Sequence, residues 1–312
     1  MDKKINIAIC LSGEPRYWNI AAESISKFIK SHKQNCQIDV FYHFWDHITK
    51  RHFHLVSDPV IENIDKNILI EHFNPTVGVC ESKDSLNSHL DEAWKYIQKL
   101  RLKYNVSLGS FCSNILKCSK KEFMTTGLSE KDAFFHLAKT TNVPPLSQLI
   151  SMCKSFVCMF DYVEKTNTIY DIIIKTRSDV QILPPSFQKL KSVVNKKKLT
   201  RYIQFPSTSV RTPPEMDHTF HTPYVEYCFF MSSPSILTKS VFENYTEKLI
   251  KLFFVVKNKN KPNAGFIYRS SHNVVPLFLK QSRNVLLGAP LHGFDQKLKQ
   301  MDVVTTESCL YS

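Results

Sequence analysis

The residues best equipped for chemistry lie where apolar runs break into charge. Ile172, Ile173 and Ile174 stand in a row and give way abruptly to Lys175, Thr176, Arg177, Ser178 and Asp179. An apolar run without polar alternation reads as a strand buried on both faces. Charge clustered at the carboxyl end of such a strand marks the crevice where α/β proteins hold ligands. A buried strand followed by a solvated turn is the plainer reading. The single carboxylate of Asp179 can hold a divalent cation that clamps a diphosphate, with water and phosphate oxygens completing the coordination. Arg177 can neutralise the same diphosphate, or instead pair with Asp179 and order the turn.

A second group follows the first apolar run, Ile5 to Leu11: Ser12-Gly-Glu-Pro-Arg16. Gly13 permits a close backbone approach and Arg16 can fork onto a phosphate. The same residues also suit a capped helix start. His43 and Trp45-Asp46, at the end of a second run, can touch a ligand base or ribose. Glu226 precedes an apolar run, Tyr227 to Met231, and Asp217 lies in a loop. Either can act as a general base on an acceptor hydroxyl, or be only a strand-end or loop charge. His292 follows the last expected strand. It becomes a second metal ligand if the C-terminus folds back over the crevice, and is otherwise a polar surface residue. No G-x-S-x-G, H-E-x-x-H, P-loop or G-x-G-x-x-G pattern occurs. His43, His47, His52 and His54 cluster without metal-site spacing.

The elements that must position these groups follow from periodicity. Strands are expected at Ile5–Leu11 and Ile38–Phe44, with a helix over Asn19–Ser31 between them. That is a βαβ unit with a right-handed crossover, so Ser12-Gly13 and His43 to Asp46 face one crevice. Ser57-Asp58-Pro59 reads as a capped helix start, for a helix ending near His72. A short strand at Thr76–Val79 and a helix over Asn87–Arg101 come next. Residues 103–143 read as an insertion with a short helix around Lys131–Lys139. Leu146, Leu149, Ile150, Cys153, Phe156, Val157, Phe160 and Val163 form a helical stripe that feeds the strand beginning at Ile169. Beyond it lie a strand at Arg201–Phe205, a Pro-, Thr- and His-rich flap at 206–224 and the strand Glu226–Met231. A helix from Ser233-Pro234 to about Phe254, another over His272–Lys280 and a strand at Asn284–Gly288 complete the chain. The expectation is one α/β domain spanning 1–312 with a mostly parallel sheet flanked by helices.

Composition narrows the partners. The chain has 312 residues and a net charge of +13, which suits an anionic ligand or nucleic acid, or reflects only the solubility of a lysine-rich chain. Its lysines are scattered apart from Lys196–Lys198 and the run Lys257 to Lys261, so the basic stripe with interleaved aromatics typical of nucleic-acid binding is absent. Seven glycines argue against glycine-rich phosphate loops. Nine cysteines with no C-x-x-C pair suggest reduced core thiols and a reducing, cytoplasmic compartment. No signal peptide and no membrane-spanning apolar run is read.

Three of these motifs together resemble a glycosyltransferase family found in bacteria and giant viruses. Ile9-Cys-Leu-Ser-Gly-Glu-Pro-Arg16 is similar to that family's first strand, which ends in Ser-Gly-x-x-Arg. His43-Phe-Trp45 matches a His-x-Trp at its second strand. Ser147-Gln148, Tyr170-Asp171 and Lys175-Thr-Arg-Ser-Asp179 follow its "Ser-Gln/Met … Tyr-Asp … Arg-x-Arg-x-Asp" block in order and spacing. The resemblance covers most of the chain outside 103–143 and 206–224. It implies a GT-A-type fold (Rossmann-like), a nucleoside-diphosphate sugar as donor and often Mn²⁺ or Mg²⁺. The Asp179 motif takes the place of the metal-binding Asp-x-Asp. This chain departs at Lys175, where the family has Arg, at Arg177, which occupies the other Asp-x-Asp position, and at Glu226, which replaces a late Asp. The resulting expectation is a soluble glycosyltransferase, in the host cytoplasm if viral. Ser12, Gly13, Arg16, His43, Trp45, Arg177 and Asp179 bind the donor, Asp179 and His292 hold the cation, and Glu226 or Asp217 is the base. A glycan or other hydroxyl is the acceptor, in a pocket shaped by the flap. The rival readings are a sugar nucleotidyltransferase of related fold, a basic nucleic-acid-binding protein and a degenerate transferase domain kept as a lectin-like module.

Overall fold

The computed structural model describes residues 4–49, 61–116, 118–140 and 146–178, with shorter pieces at 180–182, 187–195, 202–203, 230–232, 237–242, 245–252, 254–256, 264–266, 286–287 and 303–305. Strand β1 (Ile5–Gly13), helix α1 (Trp18–His32) and strand β2 (Cys36–Trp45) form the expected βαβ unit. The two strands are parallel, with Ile7 opposite Ile38 and Ser12 opposite His43. A small hairpin, β3 (His47–Thr49) with β4 (Ile61–Asn63), leads to α2 (Lys66–Phe73) and β5 (Val77–Glu81). Helix α3 (Asn87–Tyr104) is followed by α4 (Leu108–Phe111), a π turn at Cys112–Leu116, α5 (Lys120–Thr125) and α6 (Glu130–Thr140). The long α7 (Leu146–Thr166) then returns the chain to β6 (Ile172–Thr176). β7 (Val180–Ile182), α8 (Phe187–Asn195), β8 (Tyr202–Ile203) and β9 (Phe230–Ser232) come next.

The main sheet has the order β5-β2-β1-β6-β9. β1, β2, β5 and β6 are parallel and β9 is antiparallel to β6. The fold is therefore α/β, with a mostly parallel central sheet flanked by helices. Pleating sends successive side chains to opposite faces. Ile173 joins Ala8, Cys10, Phe41 and Trp45 in a core against α3 and α7, while Ile172 and Ile174 join Ile7, Ile9, Leu11 and Tyr42 in a core against α1. All three isoleucines are fully buried. Burying each one contributes about 1.5–3 kcal/mol.

The structure corrects several local expectations. Ile61–Asn63 is a strand, because it pairs with His47–Thr49. The following helix starts at Lys66, where Asp65 caps it by accepting from the Asn67 amide at 2.9 Å. The Ser57-Asp58-Pro59 cap lies outside the described residues. Ile169 is 72% exposed and precedes the strand. Between it and Ile172, the Tyr170 hydroxyl is anchored to Asp39 at 2.8 Å and the Asp171 carboxylate accepts from the Asn6 amide at 2.9 Å. The stretch after Lys103 is far more helical than the one short helix expected, and Phe111 and Phe134 lie fully buried in the larger core. The helix expected from Ser233 to Phe254 is two shorter ones, α9 (Lys239–Phe242) and α10 (Tyr245–Leu252), and Phe254–Val256 is a strand. Phe242 of α9 stacks on Phe156 of α7 with ring centroids 4.3 Å apart, which ties this region to the core. The expected helix at 272–280 falls outside the described residues. Among the described residues no helix is long and apolar enough to cross a membrane.

Gly78 shows how tightly β5 packs on β2. A Cβ there would lie 2.5 Å from Cζ of Tyr42, whose ring is buried and stacked on Phe44. Gly78→Ala should destabilise the fold by about 1–3 kcal/mol, read as a lower midpoint in chemical denaturation with an unchanged m-value.

Candidate functional site

The sheet order places a switch point beside β1. The chain leaves β1 for β2 and β5 on one side, then returns to β6 on the other. In open α/β sheets a crevice opens at such a reversal, at the carboxyl ends of the strands. A solvent-open cleft with about 340 Å³ of atom-free space lies there. Gly13, Glu14 and Arg16 line it from the end of β1, Trp45 from β2, Ser147 and Gln148 from the start of α7, and Arg177 from just beyond β6.

The turn after β1 is built by left-handed backbone at both ends. Gly13 has φ 111° and Tyr17 has φ 50°. Glycine adopts such angles freely, whereas at Tyr17 they are strained. Between them the Arg16 amide donates to the Glu14 carbonyl at 2.8 Å. The Ser178 hydroxyl, just past β6, also donates to the Glu14 carbonyl, at 2.9 Å. The turn is thereby fastened across the switch point.

Glu14 is the electrostatic hub of the cleft. Its carboxylate accepts from Arg16 Nε at 3.1 Å and Nη2 at 2.9 Å, and it pairs with the Lys83 ammonium. Lys83 sits just past β5 and is 3% exposed. Burial pulls its amine below the ordinary lysine range, and the Glu14 carboxylate opposes that pull. Lys175 is also buried.

Beneath the cleft the polar contacts are specific. Ser12 and His43 are buried under the floor instead of lining it. Ser12 Oγ and His43 Nε2 have no hydrogen-bond partner among the described residues. His43 Nε2 lies 3.6 Å from Glu81 Oε2, beyond hydrogen-bonding distance. Burial holds the imidazole below its ordinary pKa of 6.5, outweighing the opposing pull of Glu81, so the ring is neutral at neutral pH. Lys154 at 2.5 Å and Ser85 at 2.7 Å hold the Glu81 carboxyl below the usual range against the effect of burial. Trp45 presents only an edge, being 1% exposed, and its indole N–H donates to the Ser147 carbonyl at 3.1 Å.

Of the residues expected at the site, the structure brings together Gly13, Arg16, Trp45 and Arg177 on the cleft, with Ser12 and His43 below it. Asp179, Asp217, Glu226 and His292 lie outside the described residues. Glu81, Lys83, Ser151 and Lys154 were missed. The clearest unread signal was Ser147, Ser151 and Ser155, a row of serines four apart on an otherwise apolar helix, all buried. Among the described residues no group of three or more His, Cys, Asp and Glu side chains is placed to hold a metal. Glu14, the one described carboxylate lining the cleft, is engaged by two cations. This described donor set does not fit a divalent cation.

Comparison with known proteins leaves the family open. No protein-family model matches the chain, and no curated protein matches it in sequence. Among solved structures, the chain is similar to galactosyltransferase LgtC, solved in complex with donor and acceptor sugar analogs, at 9% identity and a TM-score of 0.35, covering 88% of this chain and 70% of that one. It is also similar to the apo form of mouse xyloside xylosyltransferase 1 at 8% identity and a TM-score of 0.38, covering 96% and 93%. Both superpositions are too loose to align individual residues, so function must be argued from the cleft itself.

The His43 environment makes a pH prediction. A folded pKa below the ordinary 6.5 means that the unfolded chain takes up the proton first. This contribution to stability is present above pH 6.5 and is lost as pH falls toward the folded value. His43→Gln should flatten the fall in thermal midpoint between about pH 7 and about pH 5 relative to wild type.

Proposed function

We propose that the protein is a GT-A-like glycosyltransferase, moving a sugar from a nucleoside-diphosphate donor to a hydroxyl of a glycan or other acceptor. The observation that carries this reading is the switch-point cleft, where two arginines line one small space from separate strand ends, Arg16 after β1 and Arg177 after β6. Guanidinium groups match phosphate oxygens in geometry and charge. Glu14 stores Arg16 in an ion pair, and an arriving diphosphate can exchange for it while Lys83 keeps Glu14 compensated. Gln148 offers a polar contact to the nucleoside, and the Trp45 edge an apolar one.

In the proposed reaction the bond between the sugar anomeric carbon and the diphosphate oxygen breaks, and its electron pair leaves with the nucleoside diphosphate. The acceptor oxygen bonds to that carbon and its proton passes to a general base. Glu226 is the first candidate base. Phe230 pairs with Lys175, so the chain enters β9 from the cleft edge, shortly after Glu226 in sequence. Asp217, in the 206–224 flap, is the second. Arg16 and Arg177 stabilise the charge of the leaving diphosphate. A divalent cation held by Asp179, with His292, would lend further positive charge to the leaving diphosphate.

The test is a thermal-shift titration with UDP, GDP, CDP and dTDP and their sugars, each with and without Mn²⁺. A ligand that binds only the native state raises the midpoint by mass action. One nucleotide class should do so, and Arg16→Ala or Arg177→Ala should weaken its binding about tenfold or more, the scale of a charge-assisted hydrogen bond. No shift with any nucleotide, together with RNA binding that weakens steeply with salt, would replace this reading with that of a basic nucleic-acid-binding protein.

A further inference from the structure

Helix α7 grips the carboxyl ends of three strands in succession. The Ser147 carbonyl takes the Trp45 indole N–H of β2, and Lys154 pairs with Glu81 at the end of β5. Between them Ser151, fully buried, reaches β1 and β2 together. Its Oγ accepts from the Gly13 amide at 2.7 Å, donates to the His43 carbonyl at 2.7 Å and lies 3.0 Å from His43 Nδ1. A hydroxyl has one proton to give. With that proton on the carbonyl, Nδ1–H becomes a donor to Oγ and Nε2 is the bare nitrogen of a neutral ring. All of the hydroxyl's hydrogen-bonding capacity is then used on the two strand ends that border the cleft.

We propose that Ser151 is a positioning residue of the diphosphate cleft. By holding the Gly13 amide it fixes the left-handed turn from which Glu14 and Arg16 face the ligand. This inference rests on the diphosphate reading above. The Gly13 amide is the last of β1, and it is bonded to a side chain where the ladder ends. Without the hydroxyl, that amide, the His43 carbonyl and Nδ1 all lose a partner in a buried place, and a buried donor left unsatisfied drives local rearrangement. The turn is the part free to move, because it lies outside the sheet. Ser155 supplies the contrast. It is equally buried one turn on, yet among the described residues its hydroxyl bonds only to its own helix, at the Met152 carbonyl, 2.8 Å away.

The test compares Ser151→Ala, the shape-conserving Ser151→Cys, the hydroxyl-retaining Ser151→Thr and the control Ser155→Ala. Titration with inorganic pyrophosphate probes the Arg16–Arg177 space without depending on a nucleoside. Ser151→Ala and Ser151→Cys should bind pyrophosphate about tenfold more weakly than wild type, Ser151→Thr should recover most of the loss, and Ser155→Ala should match wild type. Amide hydrogen exchange at Gly13, measured without ligand, should speed up in Ser151→Ala and Ser151→Cys alone. If one of these two variants does not fold, the other carries the comparison. Wild-type pyrophosphate affinity in a folded variant lacking the hydroxyl would overturn the positioning role while leaving the diphosphate reading intact. Faster Gly13 exchange with no pyrophosphate binding by wild type would confirm the Ser151 clamp as a structural bond and sink the diphosphate reading, and the positioning role with it.

Discussion

Everything at the cleft depends on the pairing of β1 with β6. Leu11 lies opposite Thr176, while on the other edge of β1 Ser12 lies opposite His43. The register is held where β6 begins, with the Asp171 carboxylate on the Asn6 amide and the Tyr170 hydroxyl on Asp39, and moving β6 by one residue would break both anchors and exchange the strand's two faces. Ile172 and Ile174 would then leave the α1 core and Ile173 the α7 core. The same register brings Arg177, immediately beyond β6, level with the turn that carries Glu14 and Arg16. Ser178 locks the two together through the Glu14 carbonyl. Apolar packing thus sets the distance between two cations that are far apart in sequence.

The charge arrangement follows from that geometry. A buried lysine without a partner would be costly, and Lys83 has Glu14. Glu14 in turn holds Arg16 at the cleft, so a single carboxylate orders two cations. The polar groups below, buried His43 and Ser151 and the half-buried pair Glu81 and Lys154, lie where α7 meets the sheet. They join the ends of β1, β2 and β5 to one helix. A site that must hold a multiply charged ligand gains from such a rigid floor, since little reorganisation is then left to the binding step.

Much of this was legible in the sequence where the signal was local and strong. Three isoleucines in a row announced β6, and the βαβ unit set Gly13 and Trp45 at one edge. Lys83 was not legible. Nothing local marks it for burial, and its partner Glu14 is 69 residues away. The Asp65 cap was not legible either, because the helix start at Lys66 is decided by the non-local β3–β4 pairing that claims Ile61–Asn63. Ser151 hid inside an apolar stripe, where a small polar residue carries no period of its own. The place of His43 at a strand end points to a ligand contact. The strand's alternation turns it instead beneath the cleft, toward α7.

The most direct test of the account is isothermal titration of the wild-type protein with a diphosphate and a monophosphate of the same nucleoside, using the base that gives the largest thermal shift. A cleft in which Arg16 and Arg177 converge on the diphosphate should favour the diphosphate by about tenfold or more. Equal affinities would show that the arginines do not read the diphosphate, and would contradict the central claim.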